Sequence, residues 1–180
     1  MIERVTKFSE DRVYRYTLWR EWAGDGSPFM LNAKTGHQPA FVMFIGLNPS
    51  TADEVKDDPT IRRCKDFAKR WGYGAMVMTN IFAFRATDPE VMKAHPAPIG
   101  EQSVTGELND DILVDHALHA GIVVCAWGKH GSHMFRGLRV KRLLISNGVD
   151  LKCFKLNKDG SPEHPLYQPA SRVPIPFVLS

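Results

Sequence analysis

The stretch Phe41–Asp53, FVMFIGLNPSTAD, opens as an unbroken apolar run and stops abruptly at Gly46. Apolar residues without polar alternation mark a strand covered on both faces, as in a parallel sheet. The chemistry then changes to Asn48, Pro49, Ser50, Thr51 and Asp53, a stiff polar turn. Pro49 has its φ held by its ring. A buried strand ending in such a turn delivers polar groups to the rim of a sheet, where open α/β sheets hold their ligands.

The same alternation of strand and helix continues outward from this stretch. Ala40–Leu47 is the first buried strand. The segment DDPTIRRCKDFAKRWG predicts a helix, capped by Asp57 or Asp58 with Pro59 in its first turn. Ile61, Cys64, Phe67, Ala68 and Trp71 share one face, and Gly72 and Gly74 end it. Ala75 to Ile81 reads as a second strand, and Thr87–Gly100 as a long Pro-rich surface loop. Thr105 opens a helix carrying Leu108, Ile112 and Leu113, which stops at Gly121. GIVVCAWG is a third strand. Ser132 is a cap candidate for a helix carrying Met134, Leu138, Leu144 and Ile145, and DLKCFKL is a fourth strand. Before all of these, Tyr14–Trp22 alternates aromatic and polar residues. AGDGSP then supplies a turn and FMLNA is apolar again, the pattern of a β-hairpin.

The expected fold is α/β. It is a three-layer sandwich with a mainly parallel four-stranded central sheet, plus an N-terminal β-hairpin extension over 1–38. The whole chain, 1–180, reads as a single domain, a length that suits one substantial core. Right-handed crossovers then bring every strand's C-terminal end to one edge. Asn48–Asp53, Thr79–Arg85, Trp127–His133 and Glu163–Tyr167 meet there.

Composition narrows the function classes. Hydrophobic residues make up 43%, which excludes a disordered chain. No apolar run reaches the ~18 residues of a membrane span, and the N-terminus lacks a signal core. A soluble cytoplasmic protein without membrane contact is expected. The net charge of +3 permits nucleic-acid binding without requiring it. Basic clusters at Arg62–Arg70 and Arg136–Arg142 read as solvated helix faces. Cys64, Cys125 and Cys153 form no C-x-x-C pair, and no H-E-x-x-H occurs, so neither metal nor cofactor is expected. No carboxylate pair of the ordinary glycosidase kind stands out.

Four motifs in order carry a resemblance. GLNPS after the buried strand resembles the first motif of the uracil-DNA glycosylase superfamily, especially its mismatch-specific and single-strand-selective branches. HPLY, His164–Tyr167, resembles the second motif, which begins His-Pro. VMTN is similar to the strand that ends in a base-reading Asn, and VVCAWGKHG to a further strand and its turn. The fuller pattern, with NIFAFRATDP, also looks like a bacterial and phage domain family of unknown function within that superfamily.

The resemblance implies a nucleobase-recognising hydrolase acting on an N-glycosidic bond in DNA, RNA or a nucleotide. No protein partner is indicated. It implies Asn48 and His164 as the catalytic pair. Asn48 would orient a water through its amide carbonyl, and His164 would donate to the departing base's carbonyl oxygen. Asn80 would read the base, since an amide offers both donors and an acceptor. Gly46, Leu47, Pro49, Ser50, Pro165, Leu166 and Tyr167 would surround the substrate. Phe82, Phe84 and Trp127 are stacking or core residues, and Arg85, Lys129 and His130 are candidate anion contacts. Ser50, Thr51 and Asp53 either anchor phosphate or water or cap the next helix.

Ser50 stands where the nearest branches carry Gly, and Leu166 where a phosphate-gripping Ser is usual. Asp53, Glu54, Asp57 and Asp58 would repel phosphates unless paired or capped. These departures point to a modified base, a nucleotide or a single strand. The alternatives are a non-catalytic nucleotide or nucleic-acid-binding module, or another nucleobase chemistry on the same scaffold.

Overall fold

The computed structural model describes residues 3–23, 40–50, 52–53, 55–100 and 108–178. Seven strands form one mixed sheet, in the order β1-β2-β4-β3-β5-β6-β7. They are β1 (Glu3–Phe8), β2 (Arg15–Glu21), β3 (Phe41–Gly46), β4 (Ala75–Asn80), β5 (Ile122–Cys125), β6 (Leu151–Cys153) and β7 (Ile175–Pro176). The helices are α1 (Pro59–Arg70), α2 (Pro89–Ala94), α3 (Asn109–His119) and α4 (Arg136–Ser146). Parallel pairing joins β4 to β3, β3 to β5 and β5 to β6. β1, β2 and β7 are antiparallel additions at the two sides. The protein is thus an α/β protein with a mixed sheet.

The apolar runs divide by alternate residue between two cores, because successive side chains leave a strand on opposite faces. Phe41, Met43 and Ile45 of β3 join Ala75 and Val77 of β4 beneath Leu113, Ala117, Val140 and Leu144 of α3 and α4. Val42 and Phe44 join Met76 and Met78 beneath Ile61, Cys64, Phe67 and Ala68 of α1. The face expected for α1 is the one it buries. Each fully buried Phe or Met side chain contributes roughly 1.5–3 kcal/mol. Phe67, Trp71 and Phe154 pack ring against ring on this side, with centroids 4.7–5.9 Å apart. All three cysteines are free and buried.

Several local expectations are corrected. β2 pairs with β1, Trp19 lying opposite Val5. It also pairs with β4, Leu18 opposite Met78, so it belongs to the central sheet and is no appendage. The FMLNA segment, Thr51, Glu54 and Thr105 lie outside the described residues. The expected loop at Thr87–Gly100 contains α2, whose cap Asp88 accepts from Glu90 N. Ser132 does not cap α4. It lies in a 3-10 turn, Lys129–Phe135, and its hydroxyl donates to Lys129 O. Met134 and Leu138 are largely exposed, and Val140 and Leu144 supply the buried face. Among the described residues no helix is long and apolar enough to cross a membrane.

The acidic segment after β3 is pinned by arginines of β2. Arg20 is fully buried; its Nε donates to Asp57 Oδ1 at 2.8 Å, and its Nη atoms to the carbonyls of Trp19 and Asp53. Lys65 reaches Asp57 at 3.1 Å and Arg4 at 3.8 Å. Burial alone would raise the Asp57 carboxyl, but Arg20 and Lys65 hold it below the usual carboxylate range. Removing one partner of a buried pair strands the other charge. Asp57→Ala is therefore expected to cost about 3 kcal/mol, read as a lower urea midpoint with unchanged slope. A loss below about 0.5 kcal/mol, the range of ordinary surface substitutions, would show that Arg20 is held by carbonyls alone.

Candidate functional site

Gly46 and Asn80 end the two central strands directly opposite one another. By the alternation above, both lie on the α1 face. A Cβ at Gly46 would sit 2.8 Å from Asn80 Oδ1. The missing side chain thus gives room to the Asn80 amide. Asn80 is only 3% exposed, and its Nδ2 has no hydrogen-bond partner among the described residues. Buried amide donors are nearly always paired in folded proteins, and this one stands beside a cavity.

The backbone around Asn80 is firmly held. Asn109 of α3 donates through Nδ2 to Asn80 O at 3.2 Å, and Arg136 Nε donates to Ile81 O at 2.8 Å. Arg136 is itself buried and forks onto Asp110. Beyond the strand ends the two turns stay joined. Ile81 N donates to Gly46 O, Phe82 N to Leu47 O and Ala86 N to Pro49 O, at 2.9–3.0 Å. Asn48 reinforces this seam, its Nδ2 donating to Ala86 O at 2.8 Å and to Pro49 O at 3.2 Å. Those donations fix the amide plane and leave Oδ1 as its acceptor, with no protein donor among the described residues.

His164 arrives from the other side. Gly128 N donates to Pro162 O at 2.8 Å, tying the turn after β5 to the HPLY segment. Pro165–Tyr167 form a 3-10 turn whose N-cap is His164. Leu166 N donates to His164 Nδ1 at 3.3 Å, so a neutral ring carries its proton on Nε2 and is a donor there. Burial pushes the His164 pKa down, opposed in part by the Asp58 charge, which favours that neutral form. The turn is docked on α1: Arg63 Nη2 donates to Gln168 O, and Gln168 Nε2 to Glu163 at 2.7 Å.

A cleft of about 750 Å³ opens between these segments. Of the expected residues, Gly46, Leu47, Asn48, Ser50, Asn80, Trp127, Lys129, His130, His164 and Tyr167 line it. Trp127 does so with one edge, being 4% exposed and wedged where Gly131 and Gly137 leave space for its indole. The others lie elsewhere. Phe82 is fully buried in the α3–α4 core and packs on His133, because strand alternation ends at Asn80 and the chain turns inward. Phe84 stacks on His95 at 3.9 Å. Arg85 turns away, over the Phe8 ring and onto Arg12 O. Pro49 and Pro165 shape their turns, and Leu166 points to solvent, all three off the cleft wall.

Arg15, Thr60 and Asn157, which the sequence reading did not place, also line the cleft, together with Asp58 and with Glu163 of the segment expected at the sheet edge. Asp58 was read as a possible cap and as a charge hostile to phosphate; it does cap α1, accepting from Ile61 N at 2.8 Å. Glu163 is held low by hydrogen bonds from Gln168 and Lys155. Arg15 is 2% exposed, and burial brings its guanidinium down to about 10. Asp53, feared as a repulsive charge, caps its own turn by accepting from Val55 N and Lys56 N at 2.8 Å. Only the alternation of Tyr14–Trp22, with Arg15 and Arg20 interrupting it, hinted that β2 carries buried cations.

Two measurements follow. Gly46→Ala is expected to displace the Asn80 side chain, shifting its NH₂ resonances, at a cost of about 1 kcal/mol; unmoved resonances would show the space is not needed. His164 binds a proton less readily when folded than the unfolded ring, whose ordinary value is 6.5. Its contribution to stability is therefore complete above that value and is lost as pH falls toward the folded pKa. Wild type should lose more stability than His164→Gln between pH 7 and 5; parallel curves would contradict this.

No curated protein and no solved structure matches the chain. A family profile does match, over residues 15–166. That span starts at Arg15 and closes just after His164, enclosing every cleft segment but Tyr167, and the chain belongs to the family described as "Protein of unknown function (DUF1643)".

Proposed function

We propose that this protein is a nucleobase-recognising hydrolase of N-glycosidic bonds, built on a uracil-DNA glycosylase-like fold. One observation carries the reading: Asn48, Asn80 and His164, distant in sequence, line a single cleft, and the Asn80 amide is buried without a partner. The parallel run β4-β3-β5-β6, with all four motif turns at its C-terminal edge, supports the fold assignment.

In this scheme Asn80 reads the base edge. As the bond from C1′ to the base nitrogen breaks, the base departs with the bonding pair. His164 Nε2–H donates to the oxygen where that charge gathers. A water held by Asn48 Oδ1 forms the new bond to C1′, and the proton it releases ends on the base. Positive charge on the sugar is offset by Asp58, the carboxylate at the start of α1. Such oxyanion-type donors act through a preorganised position in a poorly solvated site.

A second reading rests on the Asn48 contacts. Donation to Ala86 O and Pro49 O already gives that side chain a structural job, so the cleft would hold a nucleotide without cleaving it.

Single- and double-stranded oligonucleotides carrying uracil or other altered bases, and the matching nucleotides, provide the test. Release of free base is expected. His164→Ala and Asn48→Ala should lower its rate about 10²–10³-fold, far more than any loss of folded protein at the assay temperature accounts for. Asp58→Asn keeps the cap oxygen and removes the charge, so a rate loss there is electrostatic. Full activity in both Asn48→Ala and His164→Ala would refute the assigned roles. Binding without release would favour the second reading.

A further inference from the structure

Arg15 and Arg20 sit on the same strand and are both buried, but their partners differ. Arg20 meets a carboxylate, Asp57, at 2.8 Å. Arg15 meets a carbonyl: its Nη1 donates to Ala52 O at 2.6 Å, and its Nε is buried without an acceptor among the described residues. Among the described residues no carboxylate lies within ion-pair distance of it. Asp58 acts on it only at longer range, and Arg20 and Arg85 add like charge nearby. A buried guanidinium without a counterion is costly, since hydration is lost and nothing replaces it. This one lines the cleft. The geometry is that of a fork held in place on one side, by Ala52 O, and vacant on the other. Guanidinium forks suit phosphate, which can accept two hydrogen bonds and supply the missing charge.

We propose that Arg15 is the anion anchor of the cleft and takes the phosphate of a mononucleotide, an inference that rests on the nucleobase reading above. Size and charge favour a mononucleotide over a polymer. About 750 Å³ falls within the range of small-ligand pockets. A polymer needs a basic track for successive phosphates. Here Lys129 and His130 share the wall with Asp58 and Glu163, so the charge is mixed. Among the described residues that line the cleft, Arg15 is the buried cation, and a terminal phosphate entering the cleft can reach it. Arg15 also begins the span matched by the family.

The test is calorimetric titration of the protein with the four ribonucleosides and deoxyribonucleosides, their 5′-monophosphates, ribose 5-phosphate and a single-stranded dodecamer. At least one monophosphate should bind about 10- to 100-fold tighter than its nucleoside. Arg15→Met should abolish that ratio, and Arg15→Lys should keep part of it. Because removing a buried arginine can unfold the chain, the wild-type Arg15 Nε–H resonance is followed as well. It should shift with the monophosphate and stay still with the nucleoside. Equal binding of nucleoside and monophosphate overturns the inference, as does a phosphate preference that survives in Arg15→Met. So does a dodecamer that binds tighter than every mononucleotide while the resonance is unmoved. If nucleosides bind, are lost in Asn80→Ala and show no phosphate preference, the anchor fails and the base reading stands. If ribose 5-phosphate moves the Arg15 resonance while Asn80→Ala changes no affinity, the anchor stands and the base reading fails. Binding of none of the probes overturns both.

Discussion

At the C-terminal end of β3, a residue without a side chain faces a residue with an amide, and the cleft is organised around that pairing. Gly46 and Asn80 are in register because the apolar runs of β3 and β4 pair in parallel over their whole length. A shift of one residue would turn Asn80 toward the α3–α4 core and bring a bulkier neighbour against it. Register in turn depends on two buried faces at once, since each run feeds both cores by alternate residues. The packing of hydrocarbon on both sides of the sheet therefore fixes where one polar group stands. Asn109 and Arg136 then lock the backbone behind it from the far layer.

The opposite wall is built by electrostatics. β2 pushes two guanidinium groups beneath the acidic segment that links β3 to α1. One is neutralised by Asp57 and holds the segment in place; the other faces the cleft. The acids that seemed hostile to a phosphate ligand are mostly occupied: Asp57 by cations, Asp53 by backbone amides, and Asp58 by the start of α1. Asp58 retains a charge within reach of the cleft, opposite the neutral imidazole of His164. The cleft thus combines a fixed cation, a carboxylate, a neutral ring donor and an unpaired amide, a set able to hold a polar planar ligand bearing an anionic group.

The segments carrying Asn48, Asn80 and His164 were legible at one edge because strand ends in a parallel sheet converge, and the motif resemblance singled out the three residues within them. Phe82 was left open between stacking and the core, and the structure puts it in the core. Its spacing from Asn80 suits the same strand face, but the strand stops at Asn80 and the next residues turn into the opposite core. Arg85 followed the same logic and was drawn away by Phe8 and Arg12, residues of a hairpin whose pairing was not legible. Arg15 was missed because nothing in its neighbourhood names a ligand. Its place in the cleft comes from β2 pairing with β4 across a long stretch of intervening chain.

By itself the sequence determined the buried strands, the face α1 presents, a cap for that helix at Asp57 or Asp58, and the polar turns that end the strands. These follow from periodicity and capping, which involve residues close along the chain. Only the tertiary structure decided that β2 joins the sheet beside β4, that its two arginines diverge in role, and that Trp127 stands at the wall while Phe82 does not. Those outcomes depend on strand partners and layer packing. They are settled by which distant apolar surfaces exclude water together, a property that no local pattern encodes.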